Sequence, residues 1–374
     1  MKKFFSTILV SISFFFLFSL TTEAKYGFVE SESYRTFVPL RYISEEVGAN
    51  VKWDATEKSI TINNGSKSYK LYIGSKWIRS NGQLIKEMDT MPVLYNGSSY
   101  VPVRAISDLL NYSIEWKQAT QQAIITVSSS KKLIINTYPE SVFKRPKWRY
   151  DAKTISVSGS SKKVNVVSIN LLNQDVNIQA AFANGKKGST ASLSTVAAQN
   201  NAKVAINANY FDAYTSSSYK QPYNGVIREG VILNNFAIVD FSVFYITKDG
   251  VPGISGGNEF RSGLVASNYK TAVQAGPRLI KNGNISVNPV AEGFSSPKIL
   301  SSPGARSAVG ITKSQQVLFV TGSGLTIDQL ANVMKQLGAY QAMNLDGGAS
   351  SGLYFQGSLI TTPGRALSTV LTVK

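Results

Sequence analysis

The feature that most restricts the fold is a repetition. Phe37-Val38-Pro39-Leu40-Arg41 returns as Tyr100-Val101-Pro102-Val103-Arg104, and Ile43 returns as Ile106. Val51-Lys52-Trp53 returns as Ile114-Glu115-Trp116, and Ile60-Thr61-Ile62 as Ala123-Ile124-Ile125. The offset holds at about 63 residues, so this part of the chain is two copies of one supersecondary unit. Each copy reads as a short strand, a helix begun by proline, a strand ending in tryptophan, and one more strand. Pro39 and Pro102 suit the first helical turn, where a missing N–H costs nothing. Gly48 ends the first helix. Trp53 and Trp116 are expected to anchor the core, and Arg41 and Arg104 to pair with acids or carbonyls inside the unit. Residues 25–127 are therefore expected to form a small α+β repeat domain.

Ser128-Ser129-Ser130-Lys131-Lys132 then reads as a linker. Lys144-Arg145-Pro146-Lys147-Trp148-Arg149 is dense in positive charge, either a solvated surface or a contact for an anionic polymer. Residues 128–163 are expected as linker and basic segment. From 164 to 374 the pattern settles into one larger, strand-rich α+β domain. Val164 to Leu172 is strand-like, Ser192 to Asn201 a short helix, and Val204-Ala205-Ile206 a buried strand. Near the end, Thr326 and Gln329 make a capping box. Ile327, Leu330, Ala331, Met334 and Leu337 recur at helical spacing, and Gly338 is a natural stop. A buried strand, Ala342-Met343-Asn344-Leu345, follows at once.

Composition limits what such a chain can do. It has no Cys and no His. This removes disulfides, thiol nucleophiles, Ser-His-Asp triads and the usual zinc or copper sites. No metal and no cofactor are expected. The net charge of +17 favours an anionic partner. Lys2-Lys3, the apolar run Phe4 to Leu20 and Thr22-Glu23-Ala24 read as a secretory signal peptide over residues 1–24, with an uncleaved membrane anchor as the alternative. No later stretch is long and apolar enough to span a bilayer. Export makes nucleic acid an unsuitable partner and points to an anionic cell-wall or extracellular glycopolymer, as substrate or anchor.

The chemistry is expected where buried strands end in polar loops. Asn344-Leu345-Asp346-Gly347-Gly348-Ala349-Ser350-Ser351 puts an acid at the end of a strand, two glycines that allow close approach, and two hydroxyls. The plain alternative is a tight turn. Asn207-Ala208-Asn209-Tyr210-Phe211-Asp212 also follows a buried strand. Arg278, Arg306 and Arg365 each sit in a glycine-containing loop, and arginine grips phosphate or carboxylate with two parallel hydrogen bonds. Three such loops and a strand-end Asp suggest a preformed anion site.

In order, Asn207-Ala208-Asn209-Tyr210-Phe211, Asn224-Gly225-Val226-Ile227-Arg228-Glu229-Gly230, Ala275-Gly276-Pro277-Arg278, Arg306-Ser307-Ala308-Val309-Gly310 and Asn344-Leu345-Asp346-Gly347-Gly348 resemble the phosphodiester glycosidase family. The family often has Gly where this chain has Asn209 and Ala349. The resemblance implies cleavage between a sugar C1 and a phosphodiester oxygen, as with an N-acetylglucosamine-1-phosphodiester. Such a leaving group departs as a stabilised phosphate, so one well-held Asp with several Arg suits it better than the usual carboxylate pair. Asp346 is expected as nucleophile or base, with Arg306 and Arg278 on the phosphate, joined by Arg365. Asn207, Asn209 and Asn344 are expected on sugar hydroxyls or an acetamido group. Asp212 is a second carboxylate, Gly347 and Gly348 supply amides, and Ser350 and Ser351 hydroxyls. The doubled Val-Pro and Trp motifs of residues 25–127 resemble the N-terminal domain of copper amine oxidases. That resemblance implies an accessory domain, without copper because its ligands are missing. A non-catalytic wall or polysaccharide binder is the competing class, distinguished by release of no free sugar. A metal-dependent phosphodiesterase is the third, distinguished by sensitivity to chelators.

Overall fold

A computed structural model describes residues 25–374, apart from 96 and 174. The expected signal segment, 1–24, lies outside the described residues. Both parts of the chain are α+β and built mainly of antiparallel sheet. Among the described residues, no helix is long and apolar enough to cross a membrane.

The repeat dictates the first domain. Strands Thr36–Pro39 and Ser98–Pro102 pair antiparallel, with Val38 opposite Val101. These two valines occupy equivalent places in the copies, so the repeats face each other across a local two-fold. Helices Leu40–Glu46 and Val103–Leu110 follow directly. Pro39 and Pro102 stand at the N-cap, one residue before the first helical turn. The first helix gives way to Gly48 at φ 81°, and the second ends at Asn111 in the left-handed region. Val38, Leu40, Ile43, Ile60, Ile62, Val101, Ile106 and Ile125 fill one core.

The copies then diverge. The first hairpin, Asn50–Asp54 with Ser59–Asn64, joins a five-stranded sheet. The second, Ser113–Lys117 with Gln122–Thr126, forms the edge of a seven-stranded one. Trp53 is partly buried against the core, but Trp116 is 36% exposed and is no core anchor. Arg104 pairs with Asp89 at 3.6 Å, an acid from the segment between the two copies and not from its own unit.

Residues 128–163 are not a linker. Lys132–Pro139 pairs antiparallel with Gln122–Thr126 and parallel with Tyr26–Val29, inside the first domain's sheet. Trp148–Val157 pairs with Ser160–Asn170 and opens the second domain's largest sheet. The serines form a tight turn, in which Ser128 Oγ accepts from the Lys131 amide at 3.0 Å. The period-2 pattern of Leu133, Ile134 and Ile135 then puts Leu133 and Ile135 in the core and leaves Ile134 exposed. Much of the basic segment is spent on local pairs: Lys144 with Glu140 at 3.0 Å, Lys147 with Asp175 at 2.7 Å, and Arg149 with Asp151 at 2.9 Å.

The second domain has three antiparallel sheets around one core. In the largest, Gln316–Leu325, Gly304–Thr312, Ala339–Asn344 and Arg278–Lys281 are consecutive neighbours. A five-stranded sheet holds Val204–Asn207 between Thr369–Val373 and Leu353–Phe355. The third includes Val226–Arg228, Tyr269–Gln274 and Val243–Thr247. Val309, Phe319, Met343, Ile206, Leu371, Phe244 and Val273 meet between them. Alternation sends Ala308 to the opposite face, where helix Ile327–Gln336 packs with Leu330, Ala331, Val333 and Met334. That helix has the expected capping box at Thr326 and Gln329. Helix Leu193–Gln199 begins as expected, with Ser192 as cap.

Candidate functional site

Two sheets end at the same place. The strand Ala339–Asn344 runs out through buried Leu345 into Asp346. The strand Val204–Asn207 ends beside it. The Asp346 amide donates to the Ala208 carbonyl at 2.9 Å, and Asn207 Nδ2 donates to the Asp346 carbonyl at 2.6 Å. Asn207 Oδ1 accepts from Ser307 Oγ at 2.7 Å and from the Gly352 amide at 3.0 Å. Asn207 is therefore a clamp between strands, with its acceptor already filled, and not a free sugar ligand.

The clamp fixes the Asp346 side chain. Its Oδ1 accepts the Gly347 amide at 2.9 Å, and Ser350 supplies a second hydrogen bond. Asp346 is half-buried, and desolvation pushes its carboxyl pKa up to about 6 against the opposing pull of these hydrogen bonds and the Arg365 charge. A β-carbon on Gly347 would meet the Ala305 carbonyl at 3.0 Å, which is why the turn needs glycine there. Gly348, at φ 60°, then starts the short turn Gly348–Ser350. The Gly347 amide is spent on Asp346 itself and does not form an open anion nest.

The three arginines part company. Arg306 is 4% exposed. Its Nε donates to the Leu325 carbonyl at 3.0 Å, and its Nη2 to the carbonyls of Lys298 and Ser302 at 2.6 and 2.7 Å. It is a structural pin whose remaining nitrogen, Nη1, lies against Gly347. Arg278 Nε donates to the Ile280 carbonyl at 3.2 Å, and its neighbours include the Glu292 and Glu259 carboxylates and the Tyr245 phenol. Its side chain serves that neighbourhood and not Asp346. Arg365 is the one whose charge acts on Asp346. Its Nη2 donates to Tyr214 Oη at 2.9 Å, and its guanidinium stacks 4.8 Å from the Tyr214 ring centre. Lys298 Nζ is 6.0 Å from the same ring. Tyr214 is 79% exposed, and the Arg365 hydrogen bond, with the Arg365 and Lys298 charges, holds its phenol below the usual range. Arg365 thus brings positive charge to Asp346, with Tyr214 and Lys298 grouped around it.

Asn344 and Tyr210 line the inner side. Asn344 Nδ2 donates to Tyr210 Oη at 3.1 Å and to the Gly276 carbonyl at 2.8 Å, and Tyr210 Oη donates to that carbonyl at 2.7 Å. Burial and the Asp346 charge push the Tyr210 phenol up, so it remains a donor. Behind Gly276 sits Glu292, whose Oε2 would lie 3.1 Å from an added β-carbon. Glu292 accepts from Ser242 Oγ at 2.9 Å and from the Arg278 amide at 2.7 Å, and burial raises its pKa. Asp212 is used inside its own loop, where it accepts the Thr215 amide at 3.1 Å. Sequence reasoning passed over Tyr210, Tyr214, Lys298 and Glu292. Tyr210 lies within a quoted polar loop, while nothing local marks the other three.

Several buried polar atoms around Asp346 have no partner among the described residues: Asn209 Oδ1, Asn344 Oδ1, Ser351 Oγ and Thr369 Oγ1. An unpaired buried acceptor or hydroxyl costs about 1–3 kcal/mol.

Residues 200–374 match the phosphodiester glycosidase family, and residues 27–125 the copper amine oxidase N-terminal domain. The catalytic domain of zebrafish N-acetylglucosamine-1-phosphodiester alpha-N-acetylglucosaminidase, auto-inhibited by its pro-peptide, has a similar fold. It aligns with a TM-score of 0.52 at 22% identity, over 62% of this chain and 84% of that one. A hypothetical protein from Synechocystis aligns over 93% of this chain and 95% of its own, at 16% identity and a TM-score of 0.46. A protease inhibitor from Brevibacillus choshinensis is 30% identical over 90 residues, 24% of this chain, and the match spans 26% of that relative.

Proposed function

Because residues 200–374 carry a phosphodiester glycosidase domain behind a copper amine oxidase N-terminal domain, we propose that this protein hydrolyses the bond between a sugar C1 and a phosphodiester oxygen. The observation that carries the reading is Asp346. It is a strand-end carboxylate, clamped by Asn207, oriented by Gly347 and Ser350, and bordered by the Arg365 charge. The substrate class is an N-acetylglucosamine-1-phosphodiester in a cell-surface or extracellular glycopolymer. Support for an exported protein and an anionic polymer comes from the N-terminal sequence and the +17 charge.

In this mechanism the C1–O bond breaks and its electron pair leaves on the phosphate. Arg365 and Lys298 meet the growing charge, in the role the sequence suggested for Arg306 and Arg278. Asp346 either attacks C1 or takes the proton of the attacking water. The products are the free sugar and a phosphomonoester. Asn209, Asn344, Ser351 and Thr369 offer unpaired polar atoms to the sugar. No carboxyl group has to protonate the leaving oxygen, because phosphate is a good leaving group, and no metal is invoked.

The test is incubation with UDP-N-acetylglucosamine or a simpler N-acetylglucosamine-1-phosphodiester, with free sugar measured against the Asp346→Asn variant. Release of sugar by the wild type alone, undiminished by EDTA, is the expected result. Tight binding without release points to a binder, and loss of release in EDTA points to a metal-dependent reaction.

A further inference from the structure

The first domain carries features that hydrolysis does not use. Two adjoining depressions, of about 460 and 360 Å³, share Asp89 and Arg104 as a common wall. That size is in the range of small-ligand sites. Tyr34 and Trp116 line the second depression, and Tyr34 is 81% exposed. No other ring or cation packs on either among the described residues. The Trp116 position is informative because the repeat supplies its own control. Its counterpart, Trp53, packs on the core, while Trp116 has been turned out to line a cleft.

The polar groups beside these rings are held in advance. Trp116 Nε1 donates to Gln118 Oε1 at 2.8 Å, and Gln121 Nε2 to the Gln118 carbonyl at 2.9 Å. Asp89 lies between Arg35 at 3.3 Å and Arg104 at 3.6 Å. The charges lining the two depressions balance, with Arg35, Arg104 and Lys86 against Asp89, Asp108 and Glu87. On a protein of net charge +17 this neutrality is local and specific. It does not suit a polyanion, which needs unpaired cations.

We infer that this cleft is a second glycan-binding site, separate from the Asp346 site, and that it takes a neutral polysaccharide. The C–H faces of pyranose rings pack on Tyr34 and Trp116, since flat aromatic side chains bury much area while losing little freedom. Sugar hydroxyls exchange hydrogen bonds with the Asp89 carboxylate, the two guanidiniums and the Gln118 and Gln121 amides. The cleft thereby anchors the protein to a neutral polysaccharide, distinct from the anionic polymer proposed as substrate, and the inference stands whether or not the proposed hydrolysis is observed.

Native affinity electrophoresis of the full chain tests it, in gels containing glycol chitin, hydroxyethylcellulose or yeast mannan, with polyglycerol-phosphate teichoic acid as the anionic comparison. At least one neutral polymer should retard the protein. Trp116→Ala should weaken that retardation about tenfold, as expected when an exposed aromatic anchor is truncated, and Trp116→Phe should restore part of it. Tyr34→Ala, at a site too exposed to disturb folding, should weaken it as well. Circular dichroism should be unchanged in all three. Retardation by none of the neutral polymers, by teichoic acid alone, or to the same extent in folded Trp116→Ala overturns the inference.

Discussion

Replacing Asp346 by Asn separates a catalytic carboxylate from a turn residue, because the two readings give opposite signs for stability. The carboxyl pKa rises from 3.8 to about 6 in the folded protein. The folded state therefore holds its proton more tightly than the unfolded chain between those values, and stability falls as pH rises through the window. At pH 7 the ionised group costs roughly two pKa units, or about 3 kcal/mol. Asparagine removes that cost but offers Gly347 a neutral acceptor, which gives back about 1 kcal/mol. The net gain of about 2 kcal/mol raises Tm by about 4–8 °C for a domain of this size. The advantage should vanish below about pH 4, where the wild-type carboxyl is also neutral. Turnover should fall at least about 10³-fold, roughly 4 kcal/mol of transition-state stabilisation. KM should change little, since the phosphate contacts lie on other residues. Thermal melts at pH 7 and pH 4, with kcat measured on folded protein, settle the matter. A lower Tm at pH 7 with near-normal kcat would show that Asp346 only shapes the turn, and would remove it from the mechanism.

Three further outcomes are expected. Activity should rise with pH through about 6, and not near 4, because Asp346 works only when ionised and desolvation raises its pKa; a profile of kcat against pH that is flat from 4 to 8 contradicts this. Arg365→Ala should lower kcat/KM about 10- to 100-fold through the lost phosphate contact, while Arg278→Ala should leave turnover per folded molecule within about threefold and lower Tm; the reverse ranking in steady-state kinetics would return the phosphate to Arg278. Gly352→Ala should destabilise by about 1–3 kcal/mol, because the new β-carbon would sit 2.3 Å from the Pro363 ring and beside the Asn207 clamp; an unchanged denaturant midpoint would show that the packing relaxes freely.

Wherever neighbours along the chain carry the information, the sequence alone determined the structure. The capping box at Thr326 and Gln329 and the apolar spacing of Ile327 to Met334 specify a helix with a buried stripe, and the helix is there. The two copies of the repeat specify two equivalent units, and Val38 pairs with Val101 accordingly. The strand end at Asp346 was legible for the same reason: an apolar run stops at an acid and two glycines. Contacts between distant residues decided the rest. Arg278, Arg306 and Arg365 look alike in sequence, each within two residues of a glycine. Strand register turns Arg278 toward Glu292, buries Arg306 among carbonyls, and leaves Arg365 beside Tyr214. Trp53 and Trp116 also share a local motif, but their hairpins join different sheets, and only one faces the core. Lys132–Pro139 read as linker because its partners, Tyr26–Val29 and Gln122–Thr126, cannot be inferred from its own composition. A helix satisfies its backbone within a few residues, so its pattern is written locally. A strand is satisfied only by another strand, and which one it meets sets the direction in which every side chain points.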